Sequence, residues 1–362
     1  MVIKFLQTSD WHLGTKLSSF DQDCANFRRE SAYISIRKLI ATALEEQVKL
    51  IFLPGDLFNS EKPSSAIKSK LLELLRQIPK DVKLFILPGT HDFYSPKGLW
   101  DTTVFANAEV FKENGFSVYC LDEYGICVWG VPVTGSERDK NWLDNPPEID
   151  KSKTNILLYH GDYRGLGREY DKWDYPFTLE DLNKSPFDYI ALGHHHSAKA
   201  IDISGKTVAA YSGSPVGWSF RKSEMGERNY IIGEIKDGRV KIDFRNVDTP
   251  LIRLFEIDTS KTSETTRLLD EISNCAKDDI IRIRVSGADD PLNFKGMLND
   301  PKMKFKWLTV DETDDSADMV DPADNFHLKS LFESIERDFD EGRIDQEFRD
   351  RVKKRAIELF SK

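Results

Sequence analysis

Five short polar clusters in this sequence combine the residue types that bind transition metals. They are Ser9-Asp10-Trp11-His12, Gly55-Asp56, Gly89-Thr90-His91-Asp92, His160-Gly161 and Gly193-His194-His195-His196. Carboxylate and imidazole together suit borderline ions such as manganese, iron or zinc. An Asp carboxylate can also bridge two ions about 3.5–4 Å apart, the spacing used for in-line attack on phosphorus. The neighbouring glycines permit sharp turns and close backbone approach. A lone surface histidine carries no such meaning, but six of the seven histidines sit in these clusters and only His327 lies elsewhere.

Each cluster follows directly on an apolar run that reads as a strand, at residues 3–6, 49–53, 83–87, 155–159 and 189–192. Loops beyond the carboxyl ends of strands form the ligand crevice of α/β sheets, so the five loops meet if their strands are parallel neighbours. Apolar residues at helical spacing predict helices over 27–44 and 66–78. Further strands are predicted at 117–121, 126–129, 208–211, 230–235 and 240–244. The order is α/β early and β-rich late, which two packed sheets flanked by helices would accommodate.

A second unit begins near Pro250, with strands predicted at 251–257, 280–285 and 305–310 and a helix at 263–276. Residues 311–324 are rich in Asp and Glu and read as a linker with little to bury. Two amphipathic helices follow. One carries Phe326, Leu331, Phe332, Ile335 and Phe339, the other Ile344, Phe348, Val352, Ala356, Leu359 and Phe360. A two-helix hairpin buries both apolar faces poorly by itself, so it is expected to dock on its own chain or on a partner.

A chain of 362 residues is too long for one compact core. No apolar run approaches the roughly 20 residues of a membrane helix, so no membrane span is expected. The start Met1-Val2-Ile3-Lys4-Phe5-Leu6 has no small-residue cleavage site, so no signal peptide is expected. Cys24, Cys120, Cys127 and Cys275 form no C-x-x-C pair. Neither a zinc knuckle nor a disulfide framework is indicated, and reduced thiols in a cytoplasmic protein are expected. A net charge of −10 argues against a chain that coats nucleic acid by bulk electrostatics. It does not exclude a nuclease, because metal-site carboxylates count as negative here.

Taken in order, the clusters resemble the signature of calcineurin-like metallophosphoesterases: Asp-x-His, Gly-Asp, Gly-Asn-His-Asp, His-Gly and Gly-His-x-His. Three stretches bring the resemblance nearer to the SbcD and meiotic-recombination-eleven DNA-repair nucleases. They are Thr8-Ser9-Asp10-Trp11-His12-Leu13-Gly14, then Gly55-Asp56-Leu57-Phe58 with Lys62-Pro63-Ser64, and Tyr211-Ser212-Gly213-Ser214-Pro215. The module at 250–310 is similar to their capping domain. The resemblance implies a two-sheet sandwich over 1–248, a small α/β capping domain over 249–310, an acidic linker over 311–323 and a helical hairpin over 324–362. It further implies two divalent metal ions, expected to be manganese. Asp10, His12 and His196 would hold the first, His160 and His194 the second, and Asp56 both. His91 would sit beside the scissile phosphate as transition-state stabiliser or general acid, oriented by Asp92. DNA, an SbcC-type ATPase related to chromosome-maintenance proteins, and a second copy of the chain are the partners it implies.

One position departs from the family pattern. Its members place Asn before the catalytic His, where an amide oxygen ligates the second metal, and here that residue is Thr90. A hydroxyl is shorter and a weaker neutral ligand, so the second ion is expected to bind less tightly. Asn59 stands where related nucleases often carry His or Asp, and His195 reads as a filler position. A basic and aromatic stretch could contact a nucleic-acid strand. It holds Tyr163, Arg164, Arg168, Tyr170, Lys172, Trp173 and Tyr175. An ordinary surface loop accounts for it equally. The leading reading is a metal-dependent DNA nuclease, exonuclease or endonuclease. Two others stay open: a phosphoesterase of small substrates, and a binding subunit with a weakened second metal position.

Overall fold

The computed structural model describes residues 1–103, 105, 108–166, 174–286, 296, 303–312, 331–332, 334–335, 339, 343 and 345–360. The chain divides into two units, Met1–Ile252 and Arg253–Lys362.

The first unit is built on two six-stranded sheets. In chain order its strands are β1 (Ile3–Gln7), β2 (Leu50–Pro54), β3 (Lys83–Leu87), β4 (Ala108–Val110), β5 (Ser117–Leu121) and β6 (Ile126–Val131). They continue with β7 (Thr154–His160), β8 (Tyr189–Gly193), β9 (Lys199–Ile201), β10 (Val208–Tyr211), β11 (Asn229–Lys236) and β12 (Arg239–Asn246). One sheet runs β12-β11-β1-β2-β3-β4 and the other β5-β6-β7-β8-β10-β9. Parallel pairing joins β1, β2, β3 and β4 in the first, and β6, β7, β8 and β10 in the second.

The central strands are apolar on both faces because both faces are covered. Phe5, Leu50, Phe52, Phe85 and Leu87 point between the sheets, where they meet Val128, Ile156, Leu158, Tyr189 and Ala191. Their alternating neighbours Leu6, Ile51, Leu53, Leu84 and Ile86 pack in a second core with Ile36, Leu39 and Ile40 of α1 (Gln22–Glu45) and Leu71, Leu74 and Leu75 of α2 (Ser65–Leu75). Asp21 caps α1 by accepting from the Cys24 N–H at 2.9 Å. Ser64, in the Lys62-Pro63-Ser64 stretch, caps α2.

Polar side chains also cross between the sheets. Gln7 at the end of β1 is buried, and its amide donates to the carbonyls of Leu192 and Ala210 at 3.1 and 2.9 Å. Tyr189 closes the set by donating its hydroxyl to the Gln7 side-chain oxygen.

The second unit holds β13 (Ile252–Asp258), a helix at Thr262–Ser273, β14 (Ile280–Ser286) and β15 (Trp307–Glu312). Ile257, Leu269, Ile272, Ile281 and Ile283 form its core. Here β15 runs two residues past the predicted strand. Asp311 and Glu312 pair with Arg284 and Val285 of β14, so they belong to the sheet and not to the linker. The rest of the linker lies outside the described residues, as does most of the first hairpin helix. The second hairpin helix is present at Gln346–Phe360.

The reduced-thiol expectation is corrected at one pair, because Cys120 and Cys127 form a disulfide. The cause is the β5–β6 pairing, which sets Cys120 opposite Cys127 with their Cα atoms 4.1 Å apart. Cys24 and Cys275 remain free. Thiol titration of denatured, unreduced protein is therefore expected to find two thiols per chain. Four would exclude the bridge.

Candidate metal centre

The strand ends turn sharply to bring the polar clusters together. Asp10, His12, Asp56 and His194 all have left-handed backbone, at φ of 56°, 44°, 54° and 104°. Such conformations are uncommon outside glycine, although Asp and His tolerate them better than most. The loops after β1 and β2 are laced by Asp10 N–H to the Gly55 carbonyl at 3.1 Å and His12 N–H to the Asp56 carbonyl at 2.9 Å. Gly193 must be glycine, since a Cβ there would lie 1.8 Å from the Pro54 carbonyl oxygen.

The two buried carboxylates are gripped by backbone. Asp10 accepts from the His194 N–H at 3.1 and 3.2 Å and from the Ser9 hydroxyl at 2.5 Å. Asp56 accepts from the His91 N–H at 2.8 Å and from the Thr90 hydroxyl at 3.1 Å. Among the described residues neither carboxylate meets a lysine or arginine; the ring nitrogens within 4.0 Å belong to imidazoles.

Four imidazoles face one another in pairs. His12 Nε2 lies 3.0 Å from His196 Nε2, and His160 Nε2 lies 3.3 Å from His194 Nδ1. The other nitrogen of each ring meets an oxygen. His12 Nδ1 is 3.2 Å from Asn59 Oδ1, and His160 Nδ1 donates to the Pro54 carbonyl at 2.9 Å. His194 Nε2 is 3.1 Å from Asp162 Oδ1, and His196 Nδ1 pairs with Glu224 Oε1. The inward nitrogens are thus the ones left to bind. Donor atoms of Asp10, His12 and His196 lie within 4.8 Å of one another, as do those of Asp56, His160 and His194 and those of His12, Asp56 and His91. Facing nitrogens flanked by carboxylates that lack Lys or Arg partners fit divalent cations.

Charge is shared unevenly. Burial drives His12 down to about 3, so it stays neutral. For His160 burial acts downward, but the Asp56 carboxylate outweighs it and raises the ring to about 10. Asp56 in turn lies well below the usual carboxylate range, since the His160 charge overcomes the burial that would raise it. His196 is lifted to about 9 by Glu224 against the effect of burial. Asp92 is pushed up to about 7 by burial, with the Asp56 charge adding to it.

Residues 3–198 match the Metallophos family, described as calcineurin-like phosphoesterase. The chain belongs to the calcineurin-like phosphoesterase family. It is 29% identical over 314 residues to the DNA double-strand break repair protein Mre11 of Sulfurisphaera tokodaii, covering 80% of this chain and 75% of that protein. It is 26% identical over 287 residues to Mre11 of Saccharolobus solfataricus, covering 78% and 70%. The uncharacterized metallophosphoesterase YhaO of Bacillus subtilis is 23% identical over 289 residues, covering 75% and 67%. Among solved structures, a Vps29 single mutant from Entamoeba histolytica is 12% identical over 67% of this chain and 99% of its own, at a TM-score of 0.31. That likeness is too remote to bear on function.

All of the family-motif residues singled out in the sequence lie at this one place. The strands that carry them are not neighbours in one sheet: β1, β2 and β3 supply three loops, and β7 and β8 supply two from the facing sheet. Thr90 comes within 3.5 Å of His160 Nε2. His91 is exposed at the mouth, its ring centroid 4.7 Å from that of His12. Asp92 does not meet the His91 ring. Its carboxylate accepts from the Gly89 N–H at 2.8 Å and the Phe58 N–H at 3.0 Å, so it braces the loop. Asn59 anchors His12, and His195, read from the sequence as a filler position, lies 3.3 Å from Asp162. Asp162 and Glu224 were not visible as site residues. Asp162 had a faint signal two places after His160; Glu224 had none. Of the basic and aromatic stretch, residues 167–173 lie outside the described residues.

The raised values of His160 and His196 have a direct consequence. Raised in this way, both rings would hold a proton on the inward nitrogen at pH 7 in the metal-free chain, and a metal would have to displace it. Binding at either position is therefore expected to release about one proton, and affinity to rise about tenfold per pH unit below about 9. Calorimetry of manganese binding at pH 7, in buffers of different ionisation enthalpy, measures this. Uptake without proton release would contradict the charge assignment.

Proposed function

We propose that the chain is a divalent-metal-dependent nuclease that hydrolyses DNA phosphodiesters in double-strand break repair, with manganese as its ion. One observation carries the reading: two pairs of facing imidazole nitrogens, each with a buried carboxylate beside it, meet around Asp56. The substrate class comes from the Mre11 relatives, which are named for DNA double-strand break repair.

In this reading Asp10, His12 and His196 hold one ion, His160 and His194 the other, and Asp56 both. Bound ions would supply Lewis-acid stabilisation of the phosphoryl oxygens and activation of water. The chain's own residues do the rest. The His91 backbone is fixed to Asp56 Oδ1 at 2.8 Å, so the carboxylate that would hold both ions also sets the loop that bears His91. The exposed His91 ring would then sit beside a bound phosphate as transition-state stabiliser or as general acid to the leaving oxygen. Asp92 keeps that loop in register with the one bearing Asp56.

The reading extends to the whole chain. Residues 1–248 are the nuclease, 249–312 the cap, with the two residues that β15 adds, and 313–323 a linker. The hairpin over 324–362 docks on the coiled-coil base of an SbcC-type ATPase. In this reading the setting is cytoplasmic, and the partners are DNA, the ATPase and a second copy of the chain. Among the described residues no helix is long and apolar enough to cross a membrane.

The test offers manganese-loaded protein linear DNA, hairpin DNA, a chromogenic phosphodiester and a phosphomonoester. Cleavage of DNA and diester but not monoester is expected, and cleavage of the monoester alone would overturn the reading. Which DNA is cut separates exonuclease from endonuclease action. Asp56→Asn is expected to be the most damaging single ligand change, since it loosens both ions; full DNA cleavage by that variant would sink the assignment. His91→Ala should lower turnover by roughly 10²–10⁴-fold while both ions stay bound. Loss of both ions from the variant would make His91 a ligand instead.

Thr90→Asn tests the departure from the family. The Thr90 hydroxyl already donates to Asp56, which leaves the second ion short of one well-placed oxygen. An amide oxygen reaches further and should tighten the second site and raise activity at limiting manganese. Two equally tight sites in the natural protein, unchanged by the substitution, would refute this.

A further inference from the structure

Glu224 and Asp162 are buried carboxylates that belong to none of the groups of inward-facing donors, yet Glu224 pairs with His196 and Asp162 lies against His194 and His195 of the Gly193-His194-His195-His196 segment. They act on opposite nitrogens. Glu224 Oε1 takes Nδ1 of His196 and leaves Nε2 facing His12. Asp162 Oδ1 lies 3.1 Å from Nε2 of His194, which leaves Nδ1 facing His160. The other two histidines are held by neutral oxygens, His12 by Asn59 and His160 by the Pro54 carbonyl. Each candidate metal position therefore pairs one histidine on a neutral acceptor with one on a carboxylate.

Neither carboxylate is free to turn. Glu224 Oε2 accepts from the Trp218 N–H at 3.1 Å. Its turn is pinned by the buried Arg228, which donates to the Ser223 and Met225 carbonyls at 2.9 and 3.3 Å. Asp162 Oδ2 accepts from the Asp174 N–H at 2.9 Å, and its backbone pairs with Asp174 and Phe177. The same Oδ1 lies 3.3 Å from His195 Nε2, whose ring is edge-on to Tyr211 at 4.7 Å.

We propose that Glu224 and Asp162 are positioning residues, each fixing the tautomer of a different histidine and so tuning a different metal position. An imidazole bound to an acceptor through one N–H presents its lone pair only on the other nitrogen. A carboxylate acceptor also makes that nitrogen a stronger donor, and loss of such a partner costs about 10–100-fold in metal affinity. The inference rests on the two-ion reading of the site.

The experiment follows manganese binding to the metal-stripped full chain by electron paramagnetic resonance of the free ion. The natural protein should take up two ions. Glu224→Gln and Asp162→Asn should each weaken one ion by about 10–100-fold and leave the other unchanged. Glu224→Gln should add nothing to His196→Ala yet keep its full effect in His194→Ala, and Asp162→Asn should do the reverse. Natural affinity at both sites in both variants, or equal weakening of both ions by each, would overturn the proposal. No manganese bound by the natural protein would overturn the two-ion reading itself, and this inference with it. Should a variant fail to fold, nitrogen-15 imidazole spectra of the zinc-loaded natural protein still decide. His194 is expected to be bound through Nδ1 and the other three through Nε2; all four through the same nitrogen would overturn the proposal.

Discussion

Asp10 and Asp56 are carboxylates removed from water at the ends of two adjacent strands, with no lysine or arginine among the described residues to neutralise them. Burying an ionised carboxylate is costly unless it is paired and hydrogen-bonded. That constraint orders what lies around them. The N–H groups of His91 and His194 and the hydroxyls of Ser9 and Thr90 are all turned toward these oxygens. The turning is done by left-handed backbone at Asp10, His12, Asp56 and His194, each costing about 1–3 kcal/mol when held by its surroundings. Strain of this kind persists only where neighbouring structure over-determines it, and two packed sheets supply that structure.

The site sits on the seam between the sheets, and the seam is stitched by polar groups as well as by the core. Gln7 reaches from β1 to the carbonyls of Leu192 and Ala210 in the other sheet. His160, on β7, is fixed by the carbonyl of Pro54 on β2. The His194 N–H, after β8, is fixed by Asp10 after β1. The loop after β3 is tied by the Val133 N–H to the Pro88 carbonyl at 3.1 Å and the Tyr94 N–H to the Val133 carbonyl at 2.8 Å. Every stitch spans the two sheets, so sliding one sheet over the other would disturb the facing nitrogens before it opened the apolar core. The precision of the donor set is thus a property of the sandwich and not of any one loop.

What the sequence made legible follows from what local pattern encodes. Continuous apolar runs at β2, β7 and β8 announce strands buried on both faces, and the Asp and His residues directly beyond them announce the donors. Local pattern says which way a side chain faces, not which strand stands opposite. Parallel neighbours would bring such loops together, but which loops come from which of the two sheets is set by pairing: β1, β2 and β3 supply three and β7 and β8 two. Cys120 and Cys127 are joined by register across a hairpin, which no C-x-x-C rule detects. Glu224 reaches His196 from a turn that follows the last motif, and nothing in its neighbours marks it. Asp92 was legible as a site residue but not in its role, because the sequence cannot show that both its oxygens are taken by backbone N–H groups.

The same distinction bears on Thr90. Its carbonyl accepts from Arg138 Nη2 at 2.7 Å, and the Arg138 side chain lies over Phe93 and 3.5 Å from Asp174. Its successor His91 is fixed through its own N–H to Asp56. The backbone at this position is therefore held by groups that make no use of the residue 90 side chain. A threonine can stand there without displacing the loop, and its hydroxyl finds an acceptor in Asp56 that an amide oxygen could not use. The change is confined to the donor offered toward His160 and His194, while the placement of His91 is preserved.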